Sequence, residues 1–222
     1  MTWACTLKDD CSQPVTNNYR ALLIGISKMV WSHTPRLPVL LWTAFTFPFT
    51  IWDTLYIALR PHTLPGHKWH DPIWTQVGTY AAVDGVYGEQ AWLEGEGWTA
   101  AQGVVNVTEV VLYLWYYAIV RKSRKEGKGV SGKMGGKACV VGLVAGTVTL
   151  TKSMLYLMRE AFSGFKYVGK ADVYALLTTW VLMNVLYISF SSYMMATFAG
   201  DIIDGLSSIG EINVNKNDKQ RE

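Results

Sequence analysis

The chain has 222 residues, of which 50% are hydrophobic and 17% are charged, and its formal net charge is +3. Soluble domains usually carry about 25% charged residues, so this composition argues against an ordinary soluble domain. The small and scattered net charge also argues against a nucleic-acid-binding protein, because such proteins concentrate Lys and Arg on one face.

The beginning of the chain, residues 1–35, is mixed and polar, and it predicts an N-terminal cytosolic or interfacial segment. No basic stretch followed by an apolar run opens it, so no signal peptide is expected. Residues 21–31 are too short to span a bilayer and could equally lie along the interface or form a loop. Cys5 and Cys11 could pair, whereas Cys139 lies in an apolar run and is expected to be a packed thiol.

Four later segments are mainly apolar and about 20 residues or longer, which is the length that a membrane-spanning helix needs. They are residues 37–59, 98–120, 137–158 and 173–199. Residues 36–205 are therefore predicted to form an all-α integral membrane domain with four transmembrane helices. Residues 206–222 are expected to be a cytosolic tail, and its charged, apolar-poor end, 215–222, is expected to be disordered.

The orientation of this domain follows from the stretch RKSRKEGKGVSGK at 121–133, which is rich in Lys and Arg. The positive-inside rule places it in the cytosol. Residues 61–97 then lie on the lumenal side and are expected to cap the helices there, and both termini are cytosolic. The glycine-rich stretch 129–136 is expected to be a flexible cytosolic loop.

Three ionisable side chains and one amide interrupt the apolar segments. They are Asp53, Glu109, Lys152 and Asn184. At 1.5 Å per residue, each lies roughly 9–17 Å below the lumenal boundary. Charges inside a membrane are costly and usually face the interior of a bundle, so the four predict a polar pocket in its lumenal half. Alternatively, Asp53 or Lys152 reaches the surface, or the two pair as a structural lock.

Several patches along the chain resemble the EXPERA family, which includes emopamil-binding protein, a sterol Δ8–Δ7 isomerase, and the sigma-2 receptor. They are WDTLYIALRP at 52–61, VDGVY at 83–87, NVTEVVLYLWYY at 106–117, LYLMREAFSGF at 155–165 and TTWVLMNVLY at 178–187. The likeness covers about residues 37–205, and each motif is weak alone, but their order and spacing agree with the four predicted spans.

The resemblance implies an EXPERA-type four-helix bundle with a lumenal-side capping segment, located in the endoplasmic reticulum. It implies a homodimer that acts on a hydrophobic small molecule in contact with membrane lipid and that uses no cofactor. Residue by residue, it carries the family's acidic positions over to Asp53, Asp84 and Glu109, and its fourth-helix asparagine to Asn184.

Three positions depart from the sterol isomerases. Phe49 stands where they have a histidine, Tyr187 stands where they have an indole, and Lys152 lies in a helix where they have no base. These differences favour a divergent member, similar to those of fungal natural-product pathways that act as cyclases or isomerases of terpenoid or polyketide intermediates.

The predicted chemistry is acid–base catalysis by two carboxyl groups, Asp53 and Glu109. An apolar site favours the neutral form of a carboxyl group, which can then donate a proton near neutral pH. A second, less desolvated carboxylate can stabilise positive charge and accept a proton. The residues predicted to bind the substrate are Asp84, Asn184, Tyr187, Lys152, Tyr56, Tyr113 and Tyr156.

Lys152 leaves three alternatives open: it keeps an acid ionised, it polarises a substrate carbonyl, or it forms a salt bridge between helices. The alternative function for the whole chain is a non-catalytic sterol or cationic-amphiphile binding protein like the sigma-2 receptor. His67, His70 and Asp71 have a spacing that can bind metal, but no further ligand completes a shell, so no metal is predicted.

Overall fold

The computed structural model describes the backbone of residues 31–219 and, except at 122, 124 and 210–219, their side chains. The interpretations of residues 21–30 and of the Cys5 and Cys11 pair lie outside this part of the chain. Most of the described residues are helical and only two short strands are present among them, which confirms the all-α class. The elements are β1 Ser32–His33, α1 Leu37–Ala58, α2 Thr75–Ala81, α3 Glu89–Leu93, α4 Trp98–Glu126, β2 Val130–Ser131, α5 Gly132–Phe162, α6 Val173–Ala175 and α7 Leu182–Lys219.

Within residues 31–219, three helical segments are long and apolar enough to cross a membrane. They are Trp98–Arg121, Gly132–Phe162 and Val173–Ile209. The remaining long helix, α1, has 22 residues and a length of about 33 Å. Four threonines and an aspartate interrupt its apolar residues. Thr43 and Thr46 donate to carbonyl oxygens one turn earlier, at 2.8 and 3.0 Å, so their hydroxyl groups are satisfied within the helix.

The structure differs from the sequence prediction in two segments, 129–136 and 215–219. The glycine-rich stretch 129–136 is not a flexible loop, because β2 pairs antiparallel with β1 and α5 begins directly afterwards. Gly135 permits this turn, since a Cβ there would overlap the carbonyl oxygen of Val130. At the other end, α7 continues to Lys219, so 215–219 is helical rather than disordered. No proline interrupts the helix there.

The long helices form a bundle in which α1 packs on α4, α4 packs on α5, and α5 packs on α7. The contact between α5 and α7 is close because Gly142 faces the ring of Phe198, which a Cβ would overlap. Interiors are packed as densely as organic crystals, so this glycine sets the distance between the two helices. The buried core here includes Tyr113, Met194 and Phe198.

One end of the bundle is fixed by a polar cluster around His33, which is buried. Its Nδ1 lies 2.8 Å from an Asp201 carboxylate oxygen, and its Nε2 lies 3.0 Å from the Tyr116 hydroxyl. Arg36 donates to the other Asp201 oxygen at 2.8 Å. Because both ring nitrogens are engaged, the cluster ties β1 to α4 and α7. The free thiol of Cys139 is buried nearby, as predicted.

The opposite end of the bundle is covered by residues 59–97, which contain α2, α3 and a 3₁₀ turn at Gly85–Tyr87. This segment packs on the connection between α5 and α6. The backbone N–H of Gly85 donates to the Tyr167 carbonyl at 3.1 Å, and the Lys166 ammonium lies 2.9 Å from Glu94. The segment therefore closes the end of the bundle that is nearer to Asp53.

Candidate functional site

A cavity of about 610 Å³ lies between the ends of the long helices and the covering segment 59–97. Its walls come from all four long helices, from the start of the α6–α7 region and from α2. The polar side chains that line it are Thr50, Asp53, Gln76, Thr79, Tyr80, Tyr87, Thr99, Gln102, Asn106, Lys152, Ser153, Tyr156, Thr179, Asn184 and Tyr187. The volume suits a small-molecule ligand.

A continuous chain of polar contacts joins three helices at one side of the cavity. The Asn106 amide donates to an Asp53 carboxylate oxygen at 2.9 Å. The Lys152 ammonium donates to the Asn106 amide oxygen at 2.7 Å and to a Glu109 carboxylate oxygen at 2.6 Å. Asn106 therefore lies between the aspartate of α1 and the lysine of α5, and it orients both.

Glu109 forms the inner end of this chain and is fully buried. Its second oxygen accepts a hydrogen bond of 2.8 Å from the Tyr113 hydroxyl, which is 3.2 Å from the Thr149 hydroxyl. Asn106, Glu109 and Tyr113 follow one another at spacings of three and four residues, so they share one face of α4. The Lys152 side chain is only 13% exposed, and its ion pair with Glu109 connects α4 to α5.

The opposite wall of the cavity includes a π-helical segment, Leu176–Val181, between α6 and α7. Such segments are rare and often occur at functional sites. Here the indole N–H of Trp180 donates to the Tyr156 hydroxyl at 3.1 Å. The Asn184 amide donates to the Trp180 carbonyl at 2.8 Å, so it helps to satisfy the backbone where the helix changes its winding.

The structure brings five of the nine predicted site residues to the cavity wall. These are Asp53, Lys152, Tyr156, Asn184 and Tyr187. The other four, Glu109, Asp84, Tyr56 and Tyr113, do not line it. Glu109 and Tyr113 lie behind Lys152, and the Tyr56 hydroxyl donates to the backbone carbonyl of Tyr87 at 2.9 Å. The alternative of a direct lock between Lys152 and Asp53 is not observed, because Asn106 bridges the two side chains and Lys152 pairs with Glu109.

Asp84 lies in the covering segment and is fully buried behind Tyr80. One carboxylate oxygen accepts from the Val86 backbone N–H at 3.3 Å, and the other is 3.5 Å from the Tyr80 hydroxyl. Burial raises the pKa of Asp84 to about 7, and the Val86 hydrogen bond only partly opposes this. Burial also raises the pKa of Tyr80 well above its ordinary value.

Sequence reasoning did not identify Asn106, Tyr80, Tyr87 or Trp98 as site residues. Asn106 carried a usable signal, because it lies one helical turn before Glu109 inside an apolar segment. The other three gave none, since aromatic residues are frequent in this chain. His70, considered as a metal ligand, instead has its Nδ1 at 2.8 Å from the Thr63 carbonyl oxygen and packs against Gly78.

Comparisons of the chain with protein-family models, with curated proteins and with solved structures found no match. The cavity and the polar side chains that line it are therefore the features that bear on function.

Proposed function

We propose that this chain is a membrane-embedded isomerase or cyclase that moves a proton between carbons of a hydrophobic, oxygen-bearing terpenoid, sterol or polyketide intermediate. The observation that supports it most is the joint placement of Asp53 and Lys152. Both line one largely apolar cavity, and Asn106 hydrogen-bonds to both. A potential proton acceptor and a potential carbonyl-binding cation therefore lie on the same wall.

The proposed membrane arrangement places α1, α4, α5 and the α6–α7 region across the bilayer. Side chains on the outer face of α1, such as Leu37, Leu41 and Phe45, are apolar and 53–61% exposed, and contact with lipid would cover them. The basic stretch 121–133 favours the cytosol for its end of the bundle. The covering segment 59–97 then caps the lumenal end, with the endoplasmic reticulum as the compartment.

The proposed reaction begins with a substrate carbonyl accepting a hydrogen bond from the Lys152 ammonium. This interaction stabilises the negative charge that develops on the oxygen. Asp53 removes a proton from the carbon next to the carbonyl, and the electron pair of that C–H bond enters the conjugated system. Returning the proton to a different carbon completes a double-bond shift. Alternatively, the enolate carbon attacks an internal conjugated carbonyl, and Asp53 returns its proton to the enolate formed there, which completes a ring closure.

Glu109 has a different role in this scheme from the one that the sequence predicted. It lies outside the cavity wall and pairs with Lys152, so it is a positioning residue that holds the ammonium at the cavity wall. The Tyr113 hydroxyl hydrogen-bonds to Glu109 and fixes it in turn. Removing Glu109 is therefore expected to weaken carbonyl binding through Lys152.

The test uses androst-5-ene-3,17-dione as a probe, because moving its double bond into conjugation requires proton transfer next to a carbonyl. Membranes containing the protein should speed conversion to the 4-ene isomer, followed by ultraviolet absorbance. Asp53→Asn should lower the rate about 10²–10⁴-fold, while Asp71→Asn, in an exposed loop, should leave it unchanged. Equal rates for the wild type and Asp53→Asn, or no conversion above that of empty membranes, would contradict the proposed catalysis.

A second candidate function is non-catalytic binding of a sterol or a cationic amphiphile. It is favoured by the fact that Asp53, within the described part of the chain, accepts from Asn106 and takes part in no ion pair. A ligand ammonium could therefore pair with it. Tight binding of N,N-dimethyldodecylamine that Asp53→Asn abolishes, without conversion of the steroid probe, would select this function over the enzymatic one.

A further inference from the structure

A second cavity, of about 350 Å³, lies in the groove between α4 and α5 and is almost entirely apolar. Its lining includes Ala101, Val105, Val148 and Leu155. Three further residues, Trp98, Gln102 and Lys152, line both this groove and the main cavity. The two spaces therefore meet at these side chains.

The indole of Trp98 is the most informative of the three shared groups. Its Nε1–H is buried, yet it has no hydrogen-bond acceptor among the described residues. Buried donors are almost always paired, because leaving one unpaired loses the hydrogen bond that water would have supplied. Trp98 is partly exposed and lines both cavities, so a small rotation of its ring would bring this unpaired donor to an acceptor on a ligand there.

We infer that Trp98 and the groove between α4 and α5 form a second subsite of the ligand-binding site. In it, a ligand oxygen accepts a hydrogen bond from the Trp98 indole, and an apolar part of the same molecule fills the groove. The ligand is an elongated lipophilic small molecule with a ketone or similar acceptor. The continuity of the groove with the cavity of Lys152 argues for such a ligand, and the assignment rests on the proposed function only in taking that ligand to be the substrate.

The first test measures equilibrium binding of two tritiated steroids, 5α-androstan-3-one and 5α-androstane, which differ only in the carbonyl oxygen. Trp98→Phe keeps an aromatic ring but removes the donor. It should weaken binding of the ketone about fivefold to tenfold and leave binding of the hydrocarbon unchanged. Trp92→Phe is the matched control, because Trp92 is 39% exposed and lines neither cavity, and it should change neither affinity.

The second test introduces a phenylalanine side chain that occupies the groove. Ala101→Phe should weaken binding of both steroids, whereas Ala100→Phe should weaken neither. Both alanines are exposed on α4, but only Ala101 lines the groove, so both variants should fold. Melting temperatures close to that of the wild type confirm folding.

Three results would overturn the inference. They are an unchanged ketone affinity in Trp98→Phe, equal losses for ketone and hydrocarbon in that variant, and equal effects of the two alanine substitutions. If adding phosphatidylcholine removes the difference in ketone affinity between the wild type and Trp98→Phe, the subsite binds a lipid ester instead. These tests measure binding and need no turnover. The subsite can therefore be confirmed or overturned even if the proposed catalysis fails its own test.

Discussion

Replacement of Lys152 by methionine tests how the buried charges are arranged. The Lys152 ammonium lies 2.6 Å from a Glu109 carboxylate oxygen. Glu109 is fully buried and also accepts a hydrogen bond from the Tyr113 hydroxyl. Methionine keeps an unbranched apolar side chain that is one atom shorter, and it removes the charge. Glu109 would then be a buried carboxylate without its cation, and Asn106 would lose its donor.

The expected loss of stability is about 3–5 kcal/mol, which is typical when one partner of a buried ion pair is removed. For a protein of this size, 1 kcal/mol shifts the melting temperature by about 2–4 °C. Lys152→Met should therefore melt roughly 6–20 °C below the wild type. The double variant Lys152→Met/Glu109→Gln should recover much of this loss, because it removes the unpaired charge as well.

Tryptophan fluorescence measures thermal unfolding in detergent for the wild type, both single variants and the double variant. Lys166→Met is the matched control: its ammonium lies 2.9 Å from Glu94, but both side chains are exposed, so solvent screens the pair and the shift should be small. Additive effects of Lys152→Met and Glu109→Gln would refute the reasoning. Equal rescue by Asp53→Asn would show that the aspartate, not the glutamate, is the partner.

Three further predictions concern other parts of the molecule. Asp84→Asn should raise the melting temperature at pH 8 and have little effect at pH 4. The folded-state pKa of about 7 stands above the ordinary value of 3.8, so stability falls as pH rises from about 4 through 7. Equal shifts at both pH values would contradict this. Gly142→Ala should lower the free energy of unfolding by about 1–3 kcal/mol, because its Cβ overlaps an aromatic ring on α7. The control Gly136→Ala meets no atom within 4 Å and should be neutral or stabilising. Denaturation curves measure both variants, and similar effects would argue against close packing at Gly142. Tyr113→Phe should reduce stability by about 1.5–3 kcal/mol, since it removes a hydrogen bond to the Glu109 carboxylate, and unchanged thermal unfolding would show that this bond contributes nothing.

Much of the helical arrangement could be predicted because apolar length is a strong signal. The first predicted span, 37–59, agrees with α1 to within one residue, and the later segments lie inside observed helices. The π-helical segment Leu176–Val181 gave no such signal. An extra residue per turn is imposed by packing and by hydrogen bonds such as that from Asn184, which local composition does not reveal.

The candidate site could be predicted only in part, because depth in a helix does not specify direction. Residues at similar depth, such as Asp53 and Lys152, do approach one cavity. However, the rotation of α4 decides that Asn106 faces the cavity and that Glu109 lies behind Lys152. That rotation depends on contacts with two neighbouring helices. The fold of the covering segment, which buries Asp84, depends likewise on contacts distant in sequence.

The central claim is that a hydrophobic, oxygen-bearing molecule binds within the membrane-embedded bundle against Asp53 and Lys152. An electron cryomicroscopy structure of the protein in lipid nanodiscs with 5α-androstan-3-one tests it most directly. We expect steroid density in the cavity beneath residues 59–97, with the ketone oxygen about 3 Å from a donor at Lys152 or Trp98, and with α1, α4, α5 and α7 crossing the disc. Steroid density only on the outer surface, or an Asp53 side chain that faces lipid, would contradict it.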